Sequence, residues 1–113
     1  MVEYPRTGSV IYIDFDPSVG AEIQKRWPAV VISNNILAQT SPFAWVVPIF
    51  HGSFNREDYP LHVQLDKRTQ IDGTVYIEQI KSVDFGCRKW QFIEMLPTDL
   101  FDEVRQKARL VIW

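Results

Sequence analysis

The sequence predicts a mainly β fold in which short strands form a small barrel or curled sheet and one helix closes the chain. Three observations lead to this fold class. Apolar and polar residues alternate with a period of two through most of the first two thirds. Turn-forming residues separate these short stretches, and the last 18 residues carry a helical pattern. Together these patterns indicate a small β domain with a helix packed on it.

The first two predicted strands lie on either side of a polar loop. Residues 10–16 alternate regularly, and Pro17 ends this first strand. The loop extends from Ser18 to Trp27. The run Ala29-Val30-Val31-Ile32 follows, and because it is apolar on both faces we expect a central strand.

The middle of the chain predicts several further short elements. Ser33 and Asn34 precede one or two helical turns and can cap them. The turn signal Asp72-Gly73 precedes a fifth strand. In the fourth strand, His62 alternates with apolar neighbours and is expected on the sheet surface. The predicted ranges are 35–39 for the helix, 43–50, 61–65 and 74–77 for the third to fifth strands, 78–83 for a helical turn or a strand continuation, and 90–94 for a short last strand.

The segment LPTDLFDEVRQKARLVIW predicts a C-terminal amphipathic helix. Its apolar residues recur at helical spacing, and Thr98 is expected to cap its start. Acidic residues come early in the helix and basic residues late, which suits the helix dipole.

Composition limits the possible functions of the chain. Its 113 residues predict one domain over residues 1–113, and 46% hydrophobic residues argue against disorder. A net charge of −2 gives no bulk attraction to nucleic acid, so any such contact requires a local patch. One cysteine and two distant histidines give no disulfide, no zinc spacing and no expected cofactor. Without an apolar run of roughly 20 residues, a soluble cytoplasmic protein is expected.

Several short motifs, in order along the chain, resemble the MazF/PemK family of toxin ribonucleases. The opening GSVIYIDFDPSVGAE is similar to the family's first strand and the Gly-x-Glu that follows it. The resemblance continues through PAVVISN, VPI, YPLHV, DGTV and EQIKSVD. Each motif is weakly specific by itself, but together they cover nearly the whole chain with family-like spacing.

This resemblance implies both a fold and an activity. The fold is an SH3-like small barrel of the MazF/Kid/CcdB toxin type, which pairs into a homodimer. The function is that of the toxin of a type II toxin–antitoxin system, a sequence-specific, metal-independent endoribonuclease that cleaves single-stranded RNA. A cognate antitoxin protein is the implied protein partner, and no membrane is involved.

The chain departs from the family pattern at two positions of the implied active site. The family places an arginine immediately before the proline of the second strand, where this chain has Trp27. It places a threonine or serine after the Pro-Ile of the third strand, where this chain has Phe50. Metal-free cleavage needs groups that move protons and a cation that stabilises the phosphorane, a role that suits the guanidinium fork of arginine.

In one interpretation, neighbouring residues take over these roles and the protein is an enzyme. Arg26 then stabilises phosphate charge, His51 transfers protons, and Glu22 orients or shares the proton. Histidine suits acid–base work because its side chain titrates near neutrality. The side chains expected to hold the RNA strand are Gln24, Lys25, Trp27, Ser53, Gln79 and Lys81.

In the other interpretation, the chain is a catalytically degenerate binding module that acts on a protein target or an antitoxin without cutting RNA. The apolar side chains of Trp27 and Phe50 favour it. Strand geometry is the deciding point, because neighbouring residues in an extended segment point to opposite faces. Arg26 therefore replaces a residue at position 27 only if the preceding loop bends.

Overall fold

A computed structural model describes residues 3–14, 26–51 and 59–112 of the chain. These residues form seven strands, two helices and one 3-10 turn. The strands are β1 (Ser9–Asp14), β2 (Arg26–Val31), β3 (Phe43–Phe50), β4 (His62–Gln64), β5 (Thr74–Tyr76), β6 (Lys81–Asp84) and β7 (Trp90–Met95). The helices are α1 (Asn35–Thr40) and α2 (Thr98–Ile112), and the 3-10 turn spans Ile77–Gln79.

All strand pairs are antiparallel, in the order β4-β5-β3-β2-β1-β7. The long strand β3 joins the two parts of this sheet. Its first half pairs with β6, its middle with β2, and its last two residues with β5. β3 thus connects β6, β2 and β5 within one antiparallel arrangement, which agrees with the predicted mainly β fold carrying a C-terminal helix.

An apolar layer covers each face of the β1–β2–β3 sheet, as period-two alternation requires. The first layer is packed under helix α2, with Val10, Val30 and Val47 meeting Leu100 and Val104. The second layer, on the opposite face, packs against helix α1. Its buried members include Ile11, Ile13, Ala29, Val31, Ala38, Val46 and Phe85. Side chains on one face of β2 and β3 therefore join the layer under α2, and side chains on the other face join the layer against α1.

The strand bounds agree with the sequence at β3 and differ elsewhere. The described residues hold seven strands rather than the five predicted with a possible short last one. Segment 78–83 contributes to both a 3-10 turn and a strand, so each alternative for it was partly right. β2 begins three residues earlier than predicted, because Arg26 pairs with Asp14 of β1. Residues 15 and 16, predicted as the end of the first strand, lie outside the described residues.

The predicted helix starts are correct for α1 and wrong in detail for α2. The side chain of Asn34 accepts a hydrogen bond from the Ile36 amide at 3.0 Å, which is the expected cap. Thr98 is the first residue of α2 rather than the residue before it, and the Pro97 carbonyl accepts from the Phe101 amide. Neither helix in the described part of the chain is long and apolar enough to cross a membrane.

Gly73→Ala is expected to destabilise the fold by more than about 1 kcal/mol. Gly73 has a φ of 142°, and an added Cβ would lie 2.3 Å from the Phe50 carbonyl oxygen. Chemical denaturation measures the change. Gly86→Ala is the matched control, because its Cβ would meet only the Asp84 side chain at 3.2 Å and Pro42 at 3.5 Å. Equal stabilities of the two variants would contradict this account of Gly73.

Candidate active site

Arg26 and Trp27 are the first two residues of strand β2, and their side chains point in opposite directions. The β1–β2 ladder is regular up to this point, with Ile13 opposite Trp27 and Asp14 opposite Arg26. Because adjacent residues of a paired strand point to opposite faces, Arg26 and Trp27 face different sides of the sheet. The bend that would bring Arg26 to the place of residue 27 is therefore absent from the described residues of β2.

The register of β2 and β3 places Arg26 and His51 on the same face. Ala29 pairs with Pro48 and Val30 with Val47. The β2–β3 pairing ends at Ala29 and Pro48, and alternation counted on from there puts Arg26 on the side of Pro28 and His51 on the side of Ile49. Both side chains are exposed. A cation and an imidazole thus share one side of the sheet.

A groove of about 440 Å³ opens at this end of the sheet. Apolar residues line it together with the polar groups of a tyrosine, a histidine, a glutamine and an aspartate. The residues that line it are Tyr12, Trp27, Pro28, Ile49, His51, Gln70, Ile71 and Asp72. Arg26 is not a lining residue, but it lies two residues before Pro28 and on the same face of β2.

Trp27 and Phe50 contact each other across the β2–β3 pair. Their ring centroids are 5.5 Å apart in an edge-to-face arrangement. These are the two positions at which the family resemblance implies arginine and threonine. In this chain the pair supplies neither a cation nor a group that exchanges protons, although the fold brings the two positions together as the resemblance implies.

Three more rings continue from this pair in an unbroken series of contacts. Phe50 contacts Tyr76 at 4.7 Å, Tyr76 stacks on His62 at 4.0 Å, and His62 contacts Tyr59 at 4.2 Å. We call these five side chains, Trp27, Phe50, Tyr76, His62 and Tyr59, the aromatic row. Trp27, Phe50, Tyr76 and Tyr59 are half-buried, and the side chain of His62 is largely covered.

The expectation that His62 is a simple sheet-surface residue is wrong. Its side chain is only 10% exposed, because it lies between the rings of Tyr59 and Tyr76. Its Nε2 is 3.2 Å from a carboxylate oxygen of Glu78. The neighbouring strand and the 3-10 turn, which are distant in sequence, create this environment.

The remaining predicted site residues fall into two groups. Gln79 and Lys81 are exposed, at the end of the 3-10 turn and the start of β6, and neither lines the groove. Four predicted residues lie outside the described residues, namely Glu22, Gln24, Lys25 and Ser53. Their roles therefore stay predictions.

Sequence reasoning missed three polar residues of the groove. Tyr12 was treated only as a strand residue, although period two puts it opposite Pro28 on the face of Arg26. Gln70 and Asp72 come from the loop before β5, which the sequence marks only as a turn. The carboxylate of Glu94 accepts hydrogen bonds from the backbone amides of Gln70 and Ile71 at 2.9–3.1 Å and so fixes this loop.

Arg68 ties the same loop to helix α2. Its guanidinium donates to both Asp66 and Asp99, with distances of 2.9–3.2 Å. The Arg68 side-chain hydrogen bonds lower the pKa of Asp66 and of Asp99 below the ordinary 3.8. In return, the hydrogen bonds to Asp66 and Asp99 raise the pKa of Arg68.

Arg68→Ala is expected to lower the melting temperature near pH 7 by a small amount, because the three groups are exposed. Both folded pKa values are depressed. The stabilisation is therefore complete above the ordinary carboxyl pKa of 3.8 and is lost as the pH falls through the lower folded values. Thermal unfolding from pH 7 to pH 2 should show the variant and the wild type converging in acid. A gap that stays constant over this range would contradict the assignment, and Lys89→Ala, which removes an exposed cation outside this network, serves as the control.

No group of three or more histidine, cysteine or acidic residues could hold a metal ion within residues 3–14, 26–51 and 59–112. The functional groups that the described part of the groove offers are thus an imidazole, a phenol, a carboxylate and an amide, and the Arg26 guanidinium lies on the same side of the sheet. Such a set can bind an anion and move protons.

The fold is an antiparallel sheet with a C-terminal helix and a groove with polar lining residues beside β2 and β3. Residues 6–112 match the family model described as PemK-like, MazF-like toxin of type II toxin-antitoxin system. The chain therefore belongs to this family, as its motifs predict.

Individual relatives agree with this assignment. The chain is 32% identical over 84 residues to the endoribonuclease toxin MazF of Escherichia coli K12. The aligned region covers 74% of this chain and 72% of that protein. It is 34% identical over 86 residues to the endoribonuclease MazF9 of Mycobacterium tuberculosis, covering 69% and 71%. The crystal structure of MazF from Deinococcus radiodurans superposes with a TM-score of 0.80 at 25% identity, over 97% of this chain and 98% of that one.

Proposed function

We propose that the protein is the toxin of a type II toxin–antitoxin system and cleaves single-stranded RNA without a metal ion. The family assignment and the two endoribonuclease relatives support the activity. The observation that carries the site is the placement of Arg26 and His51 on one face beside the groove, where the described part of the chain offers a cation and an imidazole together.

In the proposed reaction, the ribose 2′-oxygen attacks the adjacent phosphorus while the bond from phosphorus to the 5′-oxygen breaks. The products are a 2′,3′-cyclic phosphate and a free 5′-hydroxyl. Arg26 pairs with the non-bridging oxygens, whose charge grows in the phosphorane. Two protons move in this step: His51 transfers one of them, either from the 2′-hydroxyl or to the leaving 5′-oxygen, and the other is exchanged with solvent water. Glu22 is proposed to orient or share the proton that His51 transfers.

We propose that the other predicted residues hold the RNA strand on either side of the cut. The position of Trp27 in the lining of the groove supports its role in holding the strand. The remaining ones are Gln24, Lys25, Ser53, Gln79 and Lys81. We further propose that the protein acts in the cytoplasm, pairs as a homodimer and is neutralised by a cognate antitoxin.

Incubating the purified protein with a long single-stranded RNA in EDTA tests the activity. We expect site-specific cuts whose 5′ fragments end in a cyclic phosphate. An RNA with a 2′-O-methyl group at the cut site should stay intact, because the nucleophile is blocked. Intact unmodified RNA at high protein concentration would contradict the proposal.

The second candidate function, a binding module that does not cut RNA, has one observation in its favour. Trp27 and Phe50 fill the two family positions with apolar rings. Against it stand the relatives, which are endoribonucleases, and the polar groove beside Arg26. Growth arrest of a host cell with intact RNA would favour this second function.

A further inference from the structure

We propose that Asp14 is a positioning residue whose carboxylate holds the Arg26 guanidinium in place against the scissile phosphate. This inference rests on the proposed function and adds to its site a residue that the sequence marks only as part of the first strand. In the complex with RNA, the guanidinium lies between the carboxylate on the strand side and the phosphate on the solvent side.

The burial of Asp14 sets it apart. It is the only charged residue of the described ranges that is buried, with 5% of its surface exposed. Its Oδ1 is fully covered and has no hydrogen-bond partner among the described residues. A buried acceptor without a partner destabilises the fold, and more so when the group is charged. Such a group calls for an explanation in function, and a catalytic role is one that accounts for it.

The sheet places Asp14 directly opposite Arg26. The two residues are a cross-strand pair of the β1–β2 ladder, so their side chains lie on the same face. The neighbouring pair on that face, Tyr12 and Pro28, lines the groove. Directly opposite residues of an antiparallel pair have Cβ atoms about 4.5–5.5 Å apart. The carboxylate is therefore within reach of the long Arg26 side chain.

The Arg26 guanidinium is unengaged in the protein alone. Its side chain is exposed and forms no hydrogen bond or ion pair within the part of the chain that the structure describes. A guanidinium has five N–H donors in a fixed fork, so it can donate to a carboxylate and a phosphate at the same time. A carboxylate that holds one edge of the fork aims the other edge at the phosphate. The guanidinium also separates the two negative charges.

Two other cations lie near Asp14. Nη1 of Arg88 donates to the Asp14 backbone oxygen at 2.7 Å. The Asp14 amide donates to the Lys89 carbonyl at 3.4 Å, so Lys89 lies across β1 from Arg26 and is exposed. Arg26 is in the strand that contributes Trp27 and Pro28 to the groove, and we therefore assign the carboxylate to Arg26. Lys89 is the alternative that the test has to distinguish.

A double-mutant cycle tests the coupling, with single-turnover cleavage of an RNA that has one cut site. Asp14→Asn should lower the rate by about 10- to 100-fold, since a misplacement of about 1 Å costs about 10²-fold. In the Arg26→Ala background the same change should cause no further loss, because the residue that Asp14 positions is gone. A wild-type rate for Asp14→Asn would overturn the proposal, and so would an equal loss in both backgrounds.

Two comparisons make this cycle specific. If the effect of Asp14→Asn disappears in the Lys89→Ala background instead, Asp14 acts through Lys89 and the proposal is overturned. Asp102→Asn is the matched control, because it removes one exposed negative charge from helix α2 and changes the net charge by the same amount. It should cut RNA at the wild-type rate.

A merely structural role of Asp14 predicts a different pattern of stability and binding. Asparagine has the shape of aspartate and removes the orphaned charge, so Asp14→Asn should melt at or above the wild-type temperature. Fluorescence anisotropy should show that it binds a fully 2′-O-methylated single-stranded RNA at least as tightly, because a negative charge near the phosphate is lost. A lower melting temperature together with weaker binding of this RNA would assign Asp14 to the fold and overturn the proposal.

Failure of the proposed function gives a separate result. If the wild type leaves unmodified RNA intact in EDTA, the nuclease assignment falls, and a crystal structure with the methylated RNA shows whether the contact exists. We expect an Arg26 nitrogen within about 2.7–3.2 Å of an Asp14 carboxylate oxygen while the same guanidinium contacts a phosphate. A guanidinium that binds the phosphate without contacting Asp14 would overturn the proposal whether or not the protein cuts RNA.

Discussion

Replacing Arg26 with alanine is expected to lower the rate of RNA cleavage by about 10²- to 10³-fold. The side chain is exposed, so the free energy of unfolding should change by less than about 0.5 kcal/mol. The loss arises in the transition state, where the guanidinium would meet the charge of the phosphorane. Single-turnover cleavage of an RNA with one cut site measures the effect.

Two further variants sharpen the Arg26 prediction. Arg26→Lys keeps the charge but loses the planar fork, so we expect partial activity between the wild type and the alanine variant. Arg109→Ala removes an exposed cation from helix α2, away from the groove, and should cut RNA normally. A wild-type rate for Arg26→Ala would show that phosphate stabilisation comes from another residue.

His51→Gln is expected to lower the rate by about 10²- to 10⁴-fold. Glutamine keeps a hydrogen-bonding side chain of similar size but cannot transfer a proton near neutrality. One limb of the pH–rate profile should therefore disappear in the variant, along with most of the rate. Cleavage rates measured over a range of pH test both parts of the prediction.

The second histidine of the chain provides the control. His62 lies in the aromatic row, on the other face, beside Glu78. His62→Gln should leave the pH dependence of the chemical step in place. If His62→Gln, and not His51→Gln, removed the pH limb, proton transfer would belong to the face of the row.

Strand periodicity was enough to predict most of the fold. β3 has the predicted bounds, and the C-terminal helix begins at the predicted position within one residue. The alternation of apolar residues in β1 and β2 fixes which side chains join each apolar layer. Segment 78–83 resisted prediction because its first residues continue a 3-10 turn while Lys81–Asp84 pair with the distant start of β3.

The candidate site was only partly predictable, because it depends on pairing between distant segments. Gln70 and Asp72 reach the groove through a loop that Glu94 and Arg68 hold, and both anchors act over more than 20 residues. The burial of His62 depends on a tyrosine from the next strand and another from the loop before it. No local pattern carries such information.

The described part of β2 has no bend at Arg26, so this side chain does not take the place of residue 27. Arg26 comes one residue before Trp27, which occupies the family's arginine position. His51 comes one residue after Phe50, which occupies the family's threonine or serine position. Alternation along the two segments puts both side chains on the side of Pro28 and Ile49, opposite to the two family positions. The central claim is therefore that this toxin domain carries its cation and imidazole on the face of the groove, while aromatic rings occupy the family positions.

A crystal structure of the protein with the fully 2′-O-methylated single-stranded RNA tests this claim most directly. We expect one phosphate to lie within about 2.7–3.2 Å of both the Arg26 guanidinium and the His51 ring. The adjacent base should lie on Trp27. A scissile phosphate bound on the Trp27–Phe50 face, away from Arg26 and His51, would contradict the account.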